Sequence, residues 1–203
     1  MTNKINILFI LSIVTSCSTI SYSQIPGLVS DAVLGKEEII VTPELYAQSD
    51  FSFLNARFNN KTSALLTLYS VKDDTFYWTS SSGEILITQS GKIIKTIGLL
   101  NDIATINIDF NLRKDADNGF YYLRLFSPDA IVKVLYNLEY IGEETISNLG
   151  NDTEVNVYKE TNHIPVLNKT YSNFYYIKDG RVIRSTQNTH VINGYFVLDF
   201  YYK

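Results

Sequence analysis

The chain has 203 residues, of which 45% are hydrophobic and 19% charged, and its formal net charge is −4. This composition suits one globular domain with a sizeable core and excludes wholesale disorder, while a mildly acidic chain without a polybasic run offers no electrostatic footprint for nucleic acid. With one cysteine and two histidines (Cys17, His163 and His190), the composition also excludes an internal disulfide and a four-ligand Cys/His zinc site, so no metal is expected.

The amino terminus has the pattern of an export signal. Lys4 precedes an apolar run over Ile5–Val14, which is shorter than the ~20 residues that cross a bilayer. The following Thr15-Ser16-Cys17 resembles a lipobox, so we predict that residues 1–16 are a lipoprotein signal peptide. Cys17 would then carry a covalent diacylglycerol and an N-acyl chain, and two or three chains anchor a protein stably. The alternative is ordinary secretion, with cleavage before Gln24.

The next residues connect this anchor to the domain. Ser18 is not the Asp that retains lipoproteins in the inner membrane, which favours the periplasmic face of the outer membrane. Residues 17–36 contain Ser, Gly and Pro and are predicted to be the lipidated N-terminus and tether. The β-rich globular domain is predicted over residues 37–203. Thr42 followed by Pro43 is typical of a helix start and predicts one short helix from Pro43 to about Gln48.

The remainder of the chain consists of short β-branched and aromatic runs separated by Gly, Asn and Asp, as in antiparallel hairpins. We predict strands over residues 51–58, 63–71, 76–79, 84–88, 92–97, 105–110, 120–126, 131–140, 153–161, 172–178, 181–187 and 195–202. Turns or loops are predicted at residues 59–60, 73–74, 80–83, 90–91, 113–118, 143–144, 179–180 and 193–194. Asp199 alternates with apolar neighbours and is expected on the wet side of its strand.

These eleven to thirteen strands predict an all-β, single-domain antiparallel meander curled into a barrel or half-barrel. Curling or closing would satisfy the edges of such a long sheet, and a two-sheet sandwich is the alternative. Many strands are shorter than the ~9–11 residues of an outer-membrane barrel strand, so the expected anchor is the lipid.

Three segments carry a resemblance to a known family. They are Ile40–Leu45, Tyr77–Leu99 and Asp179–Gln187. The most specific stretch is Gly91–Leu99, which together with Thr88 fits the pattern T-x-x-G-(K/R)-x-x-K-T-x-G-L. With the lipobox, these segments resemble the group 4 capsule polysaccharide lipoproteins, the YjbF or GfcB-like family. The resemblance implies an outer-membrane lipoprotein of exopolysaccharide or capsule assembly and export, a barrel-like antiparallel fold, and periplasmic and outer-membrane export partners. It implies no catalytic residues.

Five side chains in these segments form a candidate surface for a glycan or a protein partner: Trp78, Lys92, Lys95, Arg181 and Arg184. Trp78 is expected in the core, and a sugar-stacking surface is the alternative. Lys92 and Lys95 are three residues apart and should face opposite sides of a strand, as should Arg181 and Arg184. The interpretation that we prefer for all four charges is a solvated strand end.

The sequence thus favours a non-enzymatic accessory protein of exopolysaccharide or capsule assembly and export, without cofactors other than its lipid. A second hypothesis is a periplasmic carrier or chaperone for lipid or lipoprotein cargo, which would need a large apolar cavity open to solvent. A third is a polysaccharide-modifying enzyme, which would need a buried acidic pair in a cleft. The glycan and the oligomeric state are left open.

Overall fold

A computed structural model describes residues 39–59, 63–108, 110, 112, 116–189 and 194–203. The predicted signal peptide, Cys17 and the tether lie outside the described residues, as do Asn60, His190 and Asn193. No helix within the described ranges is long and apolar enough to cross a membrane.

One helix, α1, covers Pro43–Gln48, with the Thr42 side chain accepting a hydrogen bond from the Leu45 amide as predicted. The twelve strands are β1 Phe53–Phe58, β2 Ser63–Lys72, β3 Thr75–Thr79, β4 Ile85–Gln89, β5 Lys92–Ile97, β6 Ile103–Ile106, β7 Ala116–Phe126, β8 Asp129–Asn148, β9 Asn151–Ile164, β10 Lys169–Lys178, β11 Arg181–Thr189 and β12 Gly194–Tyr201. A 3-10 helix over Pro165–Leu167 joins β9 to β10.

The strands form one closed antiparallel barrel in which each strand pairs with its neighbours in sequence and β1 pairs with β12. β1 and β12 close the barrel by antiparallel pairing, from Phe53 opposite Tyr201 to Phe58 opposite Phe196. The predicted all-β barrel with one short helix is therefore confirmed, and the two-sheet sandwich is wrong. Closure pairs the first strand with the last, so neither β1 nor β12 is left as an open edge of the sheet.

The tight turns follow the predicted chemistry. Asp179 and Gly180 have φ of 50° and 76°, and Ser90 and Gly91 have φ of 48° and 74°. Two successive positive φ values match the right-handed twist of the flanking strands, as in a type I′ hairpin turn.

Two predicted boundaries are wrong. The strand expected over residues 105–110 lies at Ile103–Ile106 and ends where Asn107 adopts a left-handed φ of 57°. Phe110 follows outside the strand but is buried in the core. The loop expected over residues 113–118 is also shorter, since β7 begins at Ala116.

The β8–β9 hairpin is longer than predicted, and the loop expected at Glu143-Glu144 is a strand. Gly142, with φ of 130°, sits at a bulge after which the ladder continues to Asn148↔Asn151. β7 pairs with β8 only as far as Glu139, so the extension has no neighbouring strand on that side. Glu143 and Glu144 are therefore exposed although both are paired with residues of β9. The bulge lets the hairpin change direction without ending it.

The core fills the inside of the barrel. The largest completely buried apolar side chains come from strands all round the ring: Leu54, Trp78, Val134, Leu138, Ile164, Tyr175 and Leu198. Each such side chain contributes about 1.5–3 kcal/mol through burial. On the outside, Tyr46 of α1 packs near the rings of Phe53 and Tyr201 and covers the β1–β12 seam.

Candidate functional site

Trp78 belongs to the core. It is completely buried, its indole N–H donates to the Thr88 hydroxyl at 2.9 Å, and its ring stacks on Phe76 with centroids 5.9 Å apart. The interpretation of Trp78 as a core anchor is therefore correct, and its membership of a glycan surface is wrong. Burial of so large a ring stabilises the fold. The indole N–H can be placed away from water at little cost because it has a hydrogen-bond partner.

Lys92 is also inside the barrel, so neither the solvated strand end nor the binding surface applies to it. Lys92 is 3% exposed and its ammonium forms an ion pair with Glu160, which is completely buried on β9. The Glu160 carboxylate also accepts hydrogen bonds from Asn173 and Tyr175, both at 2.8 Å. A buried carboxylate is tolerated only when it is paired and hydrogen-bonded in this way.

Aromatic rings enclose the Lys92 ammonium. Its Nζ lies 4.2 Å from the ring centroid of Tyr121 and 4.6 Å from that of Phe110. Burial lowers the pKa of Lys92, because desolvation disfavours the ammonium, and attraction by Glu160 opposes that shift. Burial also raises the pKa of Tyr175 well above its usual range, with the negative charge of Glu160 adding to the effect.

A second set of bonds joins the β4–β5 turn to the opposite wall. The Gly91 carbonyl accepts from Ser185 at 3.0 Å and from Gln187 at 2.8 Å, and the Ile93 amide donates to Gln187 at 2.9 Å. Gly91 itself lies against Val182 of β11 so closely that a Cβ there would be 2.5 Å from a Val182 methyl. We call Gly91–Ile93 and its partners Glu160, Ser185 and Gln187 the interior strut.

The interior strut connects two segments that identified the family resemblance separately. Gly91 opens the Gly91–Leu99 block, whereas Ser185 and Gln187 belong to the Asp179–Gln187 block about ninety residues later. In the structure the two blocks therefore share one role, since their hydrogen bonds hold the β4–β5 hairpin against β11.

A small cavity of about 30 Å³ adjoins the strut. Its polar lining includes Lys92, Tyr121, Tyr171, Asn173 and Gln187. This volume suits roughly one or two water molecules and is far below the 300–1,000 Å³ of an ordinary ligand site.

The other predicted site residues lie elsewhere. Lys95 is exposed, as its separation from Lys92 predicted, and Arg181 is exposed with its guanidinium 5.6 Å from the Tyr202 ring centroid. Arg184 is half-buried and pairs with Asp199, which also pairs with Arg57. The five predicted residues therefore do not form one surface.

Asp199 corrects a further expectation, since it is only 6% exposed although its strand neighbours Leu198 and Phe200 face the core. It points to the outside of the barrel, as predicted, but two arginines cover it. The Arg184 guanidinium also donates to the Ser147 carbonyl at 3.4 Å, which ties the β8–β9 extension to β11.

The sequence analysis missed Glu160, Asn173 and Tyr175 as partners of Lys92. The sequence indicated Glu160 only through the alternation of side chains along a strand, which places Glu160, Asn162 and Ile164 on one face of β9. Polar residues at such positions are ordinarily assigned to the wet face. Among the described residues, no group of three or more His, Cys, Asp or Glu side chains could hold a metal ion.

Comparison with known proteins agrees with this architecture. A family model described as group 4 capsule polysaccharide lipoprotein gfcB, YjbF, matches residues 28–190. The crystal structure of the hypothetical lipoprotein YmcC from Escherichia coli (K12) is similar, with a TM-score of 0.72 and 18% sequence identity over 86% of this chain and 94% of that chain. At this identity the likeness shows the fold alone. No curated protein gave a significant match.

Proposed function

We propose, from the premise that this chain belongs to the YjbF family of group 4 capsule polysaccharide lipoproteins, that it is a non-enzymatic accessory protein of exopolysaccharide or capsule assembly and export. The match over residues 28–190 confirms the resemblance found in Gly91–Leu99 and Asp179–Gln187. In this proposal Cys17 carries the lipid, and the lipid holds the domain on the periplasmic face of the outer membrane.

The observation that supports a scaffold is the packing of the described residues inside the barrel. Trp78, Leu54 and Leu198 are completely buried there, and a cavity beside the strut measures about 30 Å³. A carrier of lipid or lipoprotein cargo needs a large apolar cavity open to solvent, which the packing of these described residues does not resemble. We therefore favour a protein that acts through its outer surface.

The lipid would contribute to this role by confinement. A domain held at a membrane meets export proteins of the same membrane at a raised effective concentration without additional contacts. Weak contacts with a polysaccharide or with an export protein then suffice.

Deleting the gene and restoring it with variants tests this proposal. We expect the deletion to reduce extracellular polysaccharide, the wild-type gene to restore it, and Cys17→Ser to fail because the acceptor thiol is gone. Ser18→Ala is the matched control, since it keeps the thiol. An unchanged amount of polysaccharide in the deletion strain would overturn the capsule role, and full restoration by Cys17→Ser would overturn the anchor.

A further inference from the structure

Exposed aromatic and aliphatic side chains, interspersed with two cations, lie on the outside of the barrel on β7 and β8. Phe120 is 48% exposed, Phe126 44%, Ile131 60% and Leu135 39%. The register places Phe120 opposite Leu135, so these side chains share the outer face. We call this set, with Tyr122, Arg124 and Lys133, the β7–β8 patch.

Other parts of the outer face are covered. Tyr46 of α1 packs over the β1–β12 seam, and the ion pairs of Arg57 and Arg184 cover Asp199 on β12. Exposed apolar side chains also occur at Tyr69 and Val71 on β2 and at Tyr140 and Ile141 on β8, so exposure alone does not single out the β7–β8 patch. What the patch adds is two cations, Lys133 and Arg124, that lie over its aromatic rings. Contiguous exposed apolar surface on a folded domain is characteristic of a protein or membrane contact.

The cations in the patch favour a membrane over a protein. Lys133 is opposite Tyr122 in the register and lies between Ile131 and Leu135 on the same face, at the centre of the patch. Its ammonium is 4.3 Å from the Phe120 ring centroid, so its stem follows apolar surface. The centres of protein interfaces are depleted in lysine. At a bilayer surface, by contrast, the stem stays in the apolar layer while the ammonium reaches a phosphate.

Arg124 repeats this arrangement at the patch edge. Its guanidinium lies 4.9 Å from the Phe126 ring centroid, and it also pairs with Asp129 at 3.2 Å. Aromatic and aliphatic side chains mixed with cations have the chemistry of the boundary between head groups and acyl chains.

We propose that the β7–β8 patch rests on the phospholipid surface to which the acylated Cys17 holds this protein, with Lys133 at lipid phosphates. The inference rests on the proposed lipid anchor. The described chain begins at Ile39, which bonds to Ser63 at the start of β2, and β7 is six strands from β1 around the barrel. Six strand spacings of about 4.8 Å make roughly 30 Å. The 22 residues from Cys17 to Glu38 reach at most roughly 75 Å, so the anchor is compatible with this orientation.

Depth-dependent fluorescence quenching on the acylated full-length protein tests the inference. Because acylation blocks the only native thiol, Ile131→Cys provides a unique site for a polarity-sensitive dye. The protein is reconstituted in vesicles of phosphatidylethanolamine and phosphatidylglycerol that carry a lipid-attached quencher. We expect a blue shift and loss of fluorescence at position 131, and neither change at the exposed Ser70→Cys on β2.

Charge reversal then tests the role of the central cation. In the Ile131→Cys background, Lys133→Glu should restore most of the quenched fluorescence, whereas Lys178→Glu, at the exposed end of β10, should leave it quenched. An unchanged thermal transition verifies that each variant is folded.

Several outcomes would overturn the inference. Equal quenching at positions 131 and 70 would mean that the patch has no preferred orientation. A blue shift that needs high protein concentration would indicate a second copy, and one that needs added polysaccharide would indicate a glycan. If mass spectrometry finds Cys17 without acyl chains, the proposed anchor fails together with the inference; an acylated protein with a solvated position 131 contradicts the inference alone.

Discussion

At the residue scale, the ion pair of Lys92 and Glu160 dominates the interior. Removing two charges from water costs several kcal/mol per ion, and their attraction offsets this only with additional hydrogen bonds, which Asn173 and Tyr175 supply here. We therefore interpret the ion pair as a contact that favours one arrangement of the interior strut against the strands it meets, and not as a source of net stability.

The pair predicts strong non-additivity. Lys92→Met leaves the buried Glu160 charge unpaired and should lower the free energy of unfolding by about 3–5 kcal/mol. The double variant Lys92→Met/Glu160→Gln should recover much of that loss, as measured by urea denaturation. Lys159→Met breaks the exposed pair with Glu139, whose side chains are 36% and 45% exposed, and should cost at most about 1 kcal/mol. Additive effects at positions 92 and 160 would contradict the coupling.

Tyr171, which lines the cavity, predicts an alkaline sensitivity. Burial raises the pKa of Tyr171 from 10.0 to about 12. Because the folded state holds this proton more tightly than the unfolded state, the stabilisation is complete below pH 10.0 and is lost as the pH rises through about 12. Tyr171→Phe should make the fall in unfolding free energy across that window less steep in denaturation curves, while Tyr201, whose pKa is also raised to about 12, still contributes to it. Parallel pH dependence in the two proteins would exclude this assignment.

The sequence predicted which residues alternate but not which face is interior. Lys92 and Lys95 do point to opposite sides, yet nothing local distinguishes a charge that meets Glu160 across the barrel from one that meets water. Such pairing joins residues 68 positions apart and appears only once the strands close into a ring.

At the scale of elements, turn chemistry was predictable and strand length was not. Ser90-Gly91 and Asp179-Gly180 carry the positive φ values that their composition indicates. Gly142-Glu143-Glu144 has an equally loop-like composition, but the ladder of β8 and β9 continues through it because Gly142 lies at a β-bulge. Local composition therefore predicted the sharp turns and missed the hairpin extension.

The β4–β5 turn predicts a large difference between two glycines of nearly the same φ. Gly91→Ala and Gly180→Ala share left-handed strain of about 1–2 kcal/mol. At position 91 the new methyl also meets Val182, whereas nothing lies within 4 Å of a Cβ at position 180. Overpacking should add about 1–3 kcal/mol at position 91 only, measurable by chemical denaturation.

Val182→Ala in the Gly91→Ala background provides the control, because it reopens the space and should narrow the difference from Gly180→Ala. Equal destabilisation by the two glycine substitutions would show that the close approach of the turn to β11 carries no energetic weight.

At the scale of the whole molecule, the number of strands was predictable and the closure was not. Eleven to thirteen strands were expected and the described residues form twelve, but a half-barrel was equally compatible with the pattern. Closure depends on β1 pairing with β12, whose residues Phe53 and Tyr201 are separated by almost the entire domain. Contacts of such long range carry no local sequence signal, and their formation costs loop-closure entropy that slows folding.

This seam predicts that the last strand is indispensable. A chain that stops after Asn193 loses β12, exposes the edges of β1 and β11, and removes the completely buried Leu198. We expect loss of a cooperative thermal transition and aggregation through the open edges. A cooperative transition in the truncated chain, followed by calorimetry, would contradict a barrel held together at this seam.

The same seam brings the last residues of the chain to α1. The Lys203 amide donates to the Ser52 hydroxyl at 2.9 Å, and the Tyr46 hydroxyl donates to the Tyr202 carbonyl. A gene rearranged so that a short linker joins Lys203 to Ile39, with new ends cut between Asp179 and Gly180, should encode the same ring with a different starting point. For the fold of the barrel, the order of the strands around the ring matters, and the strand at which the domain begins does not.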